Sequence, residues 1–150
     1  METMLFSLRV SRDTKQYCLD DALDRLDNAM GEKVLYLQRR IDGLCDQIKR
    51  LDYCIFIAER INDLHNSVTA CTATIKALRG NECRYADHYI NTQKRLIRDK
   101  ARRKSLFSHL SRVLIYEEEP DHKRQLRMMQ FDFLRAEHRW LEQGMNGYAN

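Results

Sequence analysis

From Leu19 to Leu78 an apolar residue returns every three or four positions: Leu19, Leu23, Leu26, Met30, Val34, Leu37, Ile41, Leu44, Ile48, Leu51 and Ile55. The series runs on through Ala58, Ile61, Leu64, Val68, Cys71, Ile75 and Leu78. This spacing draws one apolar stripe along one side of a helix, and a stripe of that length has to be covered by other helices. At ~1.5 Å per residue an unbroken helix over this range is about 90 Å long, more than a compact domain of this size spans. With one proline and five glycines in 150 residues, the chain lacks the turns that sheets and barrels need. The fold class that follows is all-α.

The middle of the stripe reads as heptads, with Val34, Ile41, Ile48 and Ile55 at one seam position and Leu37, Leu44 and Leu51 at the other. β-branched residues at a with leucine at d favour a parallel two-stranded coiled coil, so these seven residues form the expected oligomer interface. Two irregularities interrupt the pattern. Continuing the register puts Asn62 at an a position, unless a one-residue slip at Ala58 hands the seam to Ile61, Leu64 and Val68. Between Met30 and Val34, beside Gly31, the spacing gains a residue, which predicts a bend within one helix. Tyr53 to Ala58 is apolar all round and is expected to sit inside a bundle.

Residues 1–12 show no clear period and read as an N-terminal arm. Asp13 or Thr14 is the expected N-cap of the first helix, and Asp20, Asp21, Asp24 and Asp27 suit the positive end of its dipole. Gly80-Asn81 is the strongest stop, just after Leu78 and Arg79. The helices then expected span about 14–79, 82–116 and 121–143, within one domain over 13–143, followed by a flexible tail at 144–150. Tyr89, Gln93, Leu96, Phe107, Leu110 and Leu114 mark the inner face of the second helix, and Leu126, Met129, Phe133, Ala136 and Trp140 that of the third. The connection through Glu117 to Asp121 contains Pro120, which ends a helix before it. The architecture expected is a long antiparallel helical hairpin with a third C-terminal helix, assembled into an oligomeric bundle.

Charge is concentrated in one place. Residues 80–115 carry nine basic against three acidic side chains, whereas the formal charge of the whole chain is only +4. Arg84, Asn91, Arg95, Arg98, Arg102, Ser105, His109 and Arg112 recur at helical intervals, broadened by Lys94, Lys100, Arg103 and Lys104. Such a face can track a phosphate backbone by shape and charge, which makes Arg84, Lys94, Arg95, Arg98, Arg102, Arg103 and Arg112 the candidate RNA- or DNA-binding residues. The alternatives are an ordinary solvated helix face, a face paired to the acids of a partner, and a surface for lipid headgroups. Arg102-Arg103-Lys104 also has the composition of part of a nuclear import signal.

The other chemistry is sparse. Five cysteines, an odd number without framework spacing, point to a reducing intracellular compartment, cytoplasmic or nuclear. Cys54 and Cys71 read as core fillers, and Cys18 and Cys83 as thiols near helix ends. No Cys or His pair has zinc-ligand spacing, and there is no glycine-rich phosphate loop or nucleophile elbow. No metal, cofactor, catalytic residue or membrane span is therefore expected. The function that follows is a non-enzymatic coiled-coil scaffold or complex subunit, joined to itself or to another helical protein. The competing reading is a dimeric helical binder of nucleic-acid backbones.

Overall fold

The computed structural model describes residues 2–114 and 122–135, and every described element is helical. Helix α1 spans Glu2–Asp27, α2 spans Glu32–Ala77 and α3 spans Ala86–Leu114; α4 covers residues 122–135. The chain divides into two units, Met1–Ala58 and Glu59–Asn150, and α2 contributes to both.

In the first unit α1 folds back on the first part of α2. Arg12 Nε donates to Asp52 Oδ1 at 3.0 Å, a pair placed on either side of the turn as antiparallel helices require. The buried side chains of α1 are Met4, Leu5, Leu8 and Ala22, with Ser11, Arg12, Lys15, Cys18, Leu19 and Leu26 half-buried. These lie at helical spacing on one side of α1. On α2 the covered residues are Leu37, Leu44, Ile48 and Leu51, while Val34, Ile41 and Ile55 are half-buried.

Two sequence expectations change here. Residues 1–12 were expected to form an arm, yet the helix begins at Glu2 and passes through Asp13 and Thr14. The Thr14 hydroxyl donates to the Val10 carbonyl at 2.8 Å inside the helix, so it is no cap. The bend expected at Gly31 within one helix is instead a full break between α1 and α2. Gly31 has φ +66°, where a side chain is resisted and a right-handed helix cannot continue. Around it the chain closes short turns, Ala29 N–H to Leu26 C=O and Val34 N–H to Gly31 C=O, both at 3.2 Å. Reversing there lets α1 cover the α2 seam, which a straight rod leaves in water.

In the second unit α2, α3 and α4 share one core. Ile61, Leu64, Val68, Cys71 and Ile75 of α2 are buried, as are Phe107, Leu110 and Leu114 of α3 and Leu126, Met129 and Phe133 of α4. The seam thus slips by one residue at Ala58, with Ile61 fully buried and Asn62 only half so, at the boundary between the units. Gly80 has φ +80° and ends the reversal from α2, as its position after Leu78 implies. The next turns of chain are irregular, with Arg84 N–H and Tyr85 N–H both bonded to Asn81 C=O, so α3 starts at Ala86 and not at Glu82. The connection containing Pro120, the expected helical residues 136–143 with Trp140, and the tail at 144–150 lie outside the described residues.

Candidate interaction surfaces

Asp99 organises the inner side of α3. It is 4% exposed, and its carboxylate accepts a hydrogen bond from Ser67 Oγ of α2 at 2.5 Å. Arg98 Nε lies 3.6 Å from one oxygen of Asp99 and Arg95 Nε 3.7 Å from the other, both guanidinium groups being largely exposed. The only acid between Asp87 and Glu117 in the sequence is therefore turned inward, where its buried charge is met by one hydroxyl and two cations.

One turn further along α3, Arg103 is also turned inward and only 6% exposed. Its Nη1 lies 3.2 Å from His65 Nδ1, and its guanidinium sits 5.4 Å from the centre of the Phe133 ring. A guanidinium only donates, so Nδ1 accepts and the imidazole is held in the neutral form with its proton on Nε2. The His65 ring stacks flat on Phe133 with centroids 3.7 Å apart, and Phe107 meets Phe133 edge-on at 5.6 Å. Burial and the neighbouring Arg103 charge lower the His65 pKa from its ordinary value of 6.5. Burial, then Arg103, lowers that of Lys100, and burial lowers that of Arg103 itself. The cluster ties α2, α3 and α4 together.

The outer side of α3 keeps the remaining cations. Lys94, Arg95, Arg98, Arg102 and Arg112 are exposed, as is Lys104, while Arg84 is exposed in the turn before the helix and so stands off this face. Arg103 is removed from the expected phosphate-binding set, because its place on the helix points it at His65. Arg95 and Arg98 keep solvent access but share the Asp99 carboxylate, which lowers the positive field they project. Amid these charges sit two bare aliphatic side chains, Ile90 and Ile97, the latter 70% exposed.

The expected oligomer seam is in large part occupied by the chain itself. Leu37, Leu44, Ile48 and Leu51 are buried in the first unit, and Val34, Ile41 and Ile55 retain partial exposure. Exposed apolar surface lies elsewhere. On α1 it is Phe6, Val10 and Tyr17, opposite the buried face, and on α2 it is Leu35, Tyr36, Tyr53 and Phe56. The ring of apolar residues from Tyr53 to Ala58 is therefore split, with Cys54, Ile57 and Ala58 inside and Tyr53 and Phe56 outside.

A cleft of about 610 Å³ opens beside the α1–α2 turn, lined by Asp24, Arg25, Asn28, Ala29, Lys33, Tyr36 and Leu37. Its walls hold no histidine, cysteine or hydroxyl nucleophile other than the Tyr36 phenol. Cys54 and Cys71 are buried, Cys18 and Cys45 half-buried and Cys83 exposed, and none is joined in a disulfide. Among the described residues no cluster of His, Cys, Asp and Glu could hold a metal ion, and no helix is long and apolar enough to cross a membrane. No family model, curated protein or solved structure matches the chain.

Sequence reasoning missed His65, Ser67 and the inward turn of Arg103. One signal was available: Asp99 is a lone acid in a basic run, and Arg103 follows it four positions later on the same side of the helix.

Proposed function

We propose that this chain is a non-enzymatic helical subunit that works by joining to other helices, its own copies or related proteins. The observation that supports this reading is the apolar surface on the outer side of α1, where Phe6 is 69% and Tyr17 77% exposed on the face opposite the buried one. A helix apolar on two opposite faces leaves one of them to be covered. Sedimentation of the full chain tests it. Self-association or capture of a helical partner that Tyr17→Glu weakens, with helix content unchanged, supports the reading, and a chain whose associations ignore Phe6, Val10 and Tyr17 overturns it.

A second reading is favoured by a different observation, the exposed cations of α3 on one helix face. Such a face suits the phosphate backbone of RNA or DNA, with Lys94, Arg95, Arg98, Arg102 and Arg112 as contacts and Arg84 in the turn before the helix. Binding to a generic duplex that falls steeply with salt, and that Arg98→Glu with Arg102→Glu removes, supports it. No binding at low salt ends it.

A further inference from the structure

One outer stripe of α1 and one of α3 have the same step pattern, and each carries a single charge, of opposite sign. On α1, Phe6, Val10, Asp13 and Tyr17 are exposed and stand four, three and four residues apart. On α3, Ile90, Lys94, Ile97 and Ala101 are exposed and repeat those steps. Run antiparallel, the two stripes fall into one register: Phe6 meets Ala101, Val10 meets Ile97, Asp13 meets Lys94 and Tyr17 meets Ile90. A large ring thus faces the smallest side chain, aliphatic faces aliphatic, and the one charged layer is a cation against an anion. One step further, Asp20 would meet Asp87, so like charges end the contact there.

We infer that the outer face of α1 docks antiparallel on the outer face of α3 of a second copy of this chain, with Asp13 and Lys94 fixing the register. This rests on the assembly reading above and names its interface. Each copy then offers one face of each kind, so the contact is either returned in a two-fold pair or repeated from copy to copy in a ring or a filament. A seam of four layers is short, so each contact is weak and assembly grows with concentration. The charged layer specifies which faces meet, as polar seam residues do in coiled coils.

The test is a charge exchange followed by sedimentation velocity of the full chain. Asp13→Lys alone sets lysine against Lys94, Lys94→Glu alone sets glutamate against Asp13, and each should weaken self-association by about tenfold or more, as like charges at an interface do. The chain carrying both changes should regain self-association, and an equimolar mixture of the two single variants should co-assemble. Both positions are exposed, and circular dichroism checks that helix content is kept. A wild-type chain that self-associates and ignores both single changes overturns this interface and leaves the assembly reading standing. Single changes that weaken association without rescue in the double variant also overturn the pairing, and a wild-type chain that stays monomeric overturns it together with the self-association it builds on.

Discussion

Leu44 separates a seam hidden by its own chain from a seam hidden by a partner. At 8% exposed it sits in the α1–α2 hairpin, two turns along α2 from Leu37 and two before Leu51. Truncation to alanine removes most of its buried apolar surface and leaves a gap that neighbouring side chains fill only in part. Leu→Ala changes in protein cores cost about 2–5 kcal/mol. A two-helix hairpin relaxes more readily than a deep core, which puts Leu44→Ala near the lower end, about 2–3 kcal/mol. The assay is urea unfolding followed by circular dichroism at two protein concentrations well apart. The expected result is a lower midpoint for the variant, by the same amount at both concentrations, because α1 and α2 belong to one chain. A loss below about 0.5 kcal/mol, the level of a surface substitution, or one that appears only in the concentrated sample, refutes the idea that α1 covers Leu44.

Other predictions follow from the second unit and from the turn. Because burial and Arg103 lower the His65 pKa, the unfolded chain takes up this proton first as pH drops. The stability associated with neutral His65 is therefore full above pH 6.5, falls as the pH descends below that value, and levels off beneath the lowered folded pKa; urea midpoints measured across this window, with His65→Phe as the control that flattens this part of the slope, check it. Arg103→Ala should destabilise the second unit by about 1–3 kcal/mol, by removing a buried donor from the His65 ring, and leave any duplex affinity unchanged, whereas Arg102→Ala should leave stability unchanged and reduce the salt slope of any duplex binding by about one. Gly31→Ala has open space for its new Cβ but must hold φ near +66°, so a loss of about 1 kcal/mol in unfolding free energy is expected from backbone strain alone.

Periodicity carried much of the fold. The stripe on α2 with Cys71 in it, the stop at Gly80, and the burial of Phe107, Leu110 and Leu114 on α3 and of Leu126, Met129 and Phe133 on α4 follow from spacing, because a helix buries residues three and four apart whatever covers them. Tyr89, Gln93 and Leu96 are only half-buried, and Thr92 and Asp99 are buried in that half of α3 instead. The reversal at Gly31 was less legible. One glycine in a helical pattern is compatible with a bend, and what decides for a break is the gain from folding α1 back, which depends on α1 being recognised as a helix. Its inward face has Ser11, Arg12 and Lys15 at the middle, so a count of apolar residues passes over it, although Met4 and Leu8 are among the best-buried side chains of the unit. The same omission made the Val34–Ile55 seam look available to a partner. On α3, spacing marked out the basic face but could not show which cations turn inward. Arg102 and Arg103 are adjacent in sequence and differ by about 100° around the helix, which puts one in solvent and the other against His65 and Phe133.

Hydroxyl-radical footprinting of the full chain, compared between dilute and concentrated samples, bears most directly on how this protein meets other molecules. Leu37, Leu44 and Leu51 should already be protected in the dilute sample and stay so, while Phe6 and Tyr17 should react when dilute and lose reactivity as the concentration rises. Seam leucines that react freely when dilute and become protected only on concentration would contradict a hairpin that covers its own seam and joins others through its outer faces.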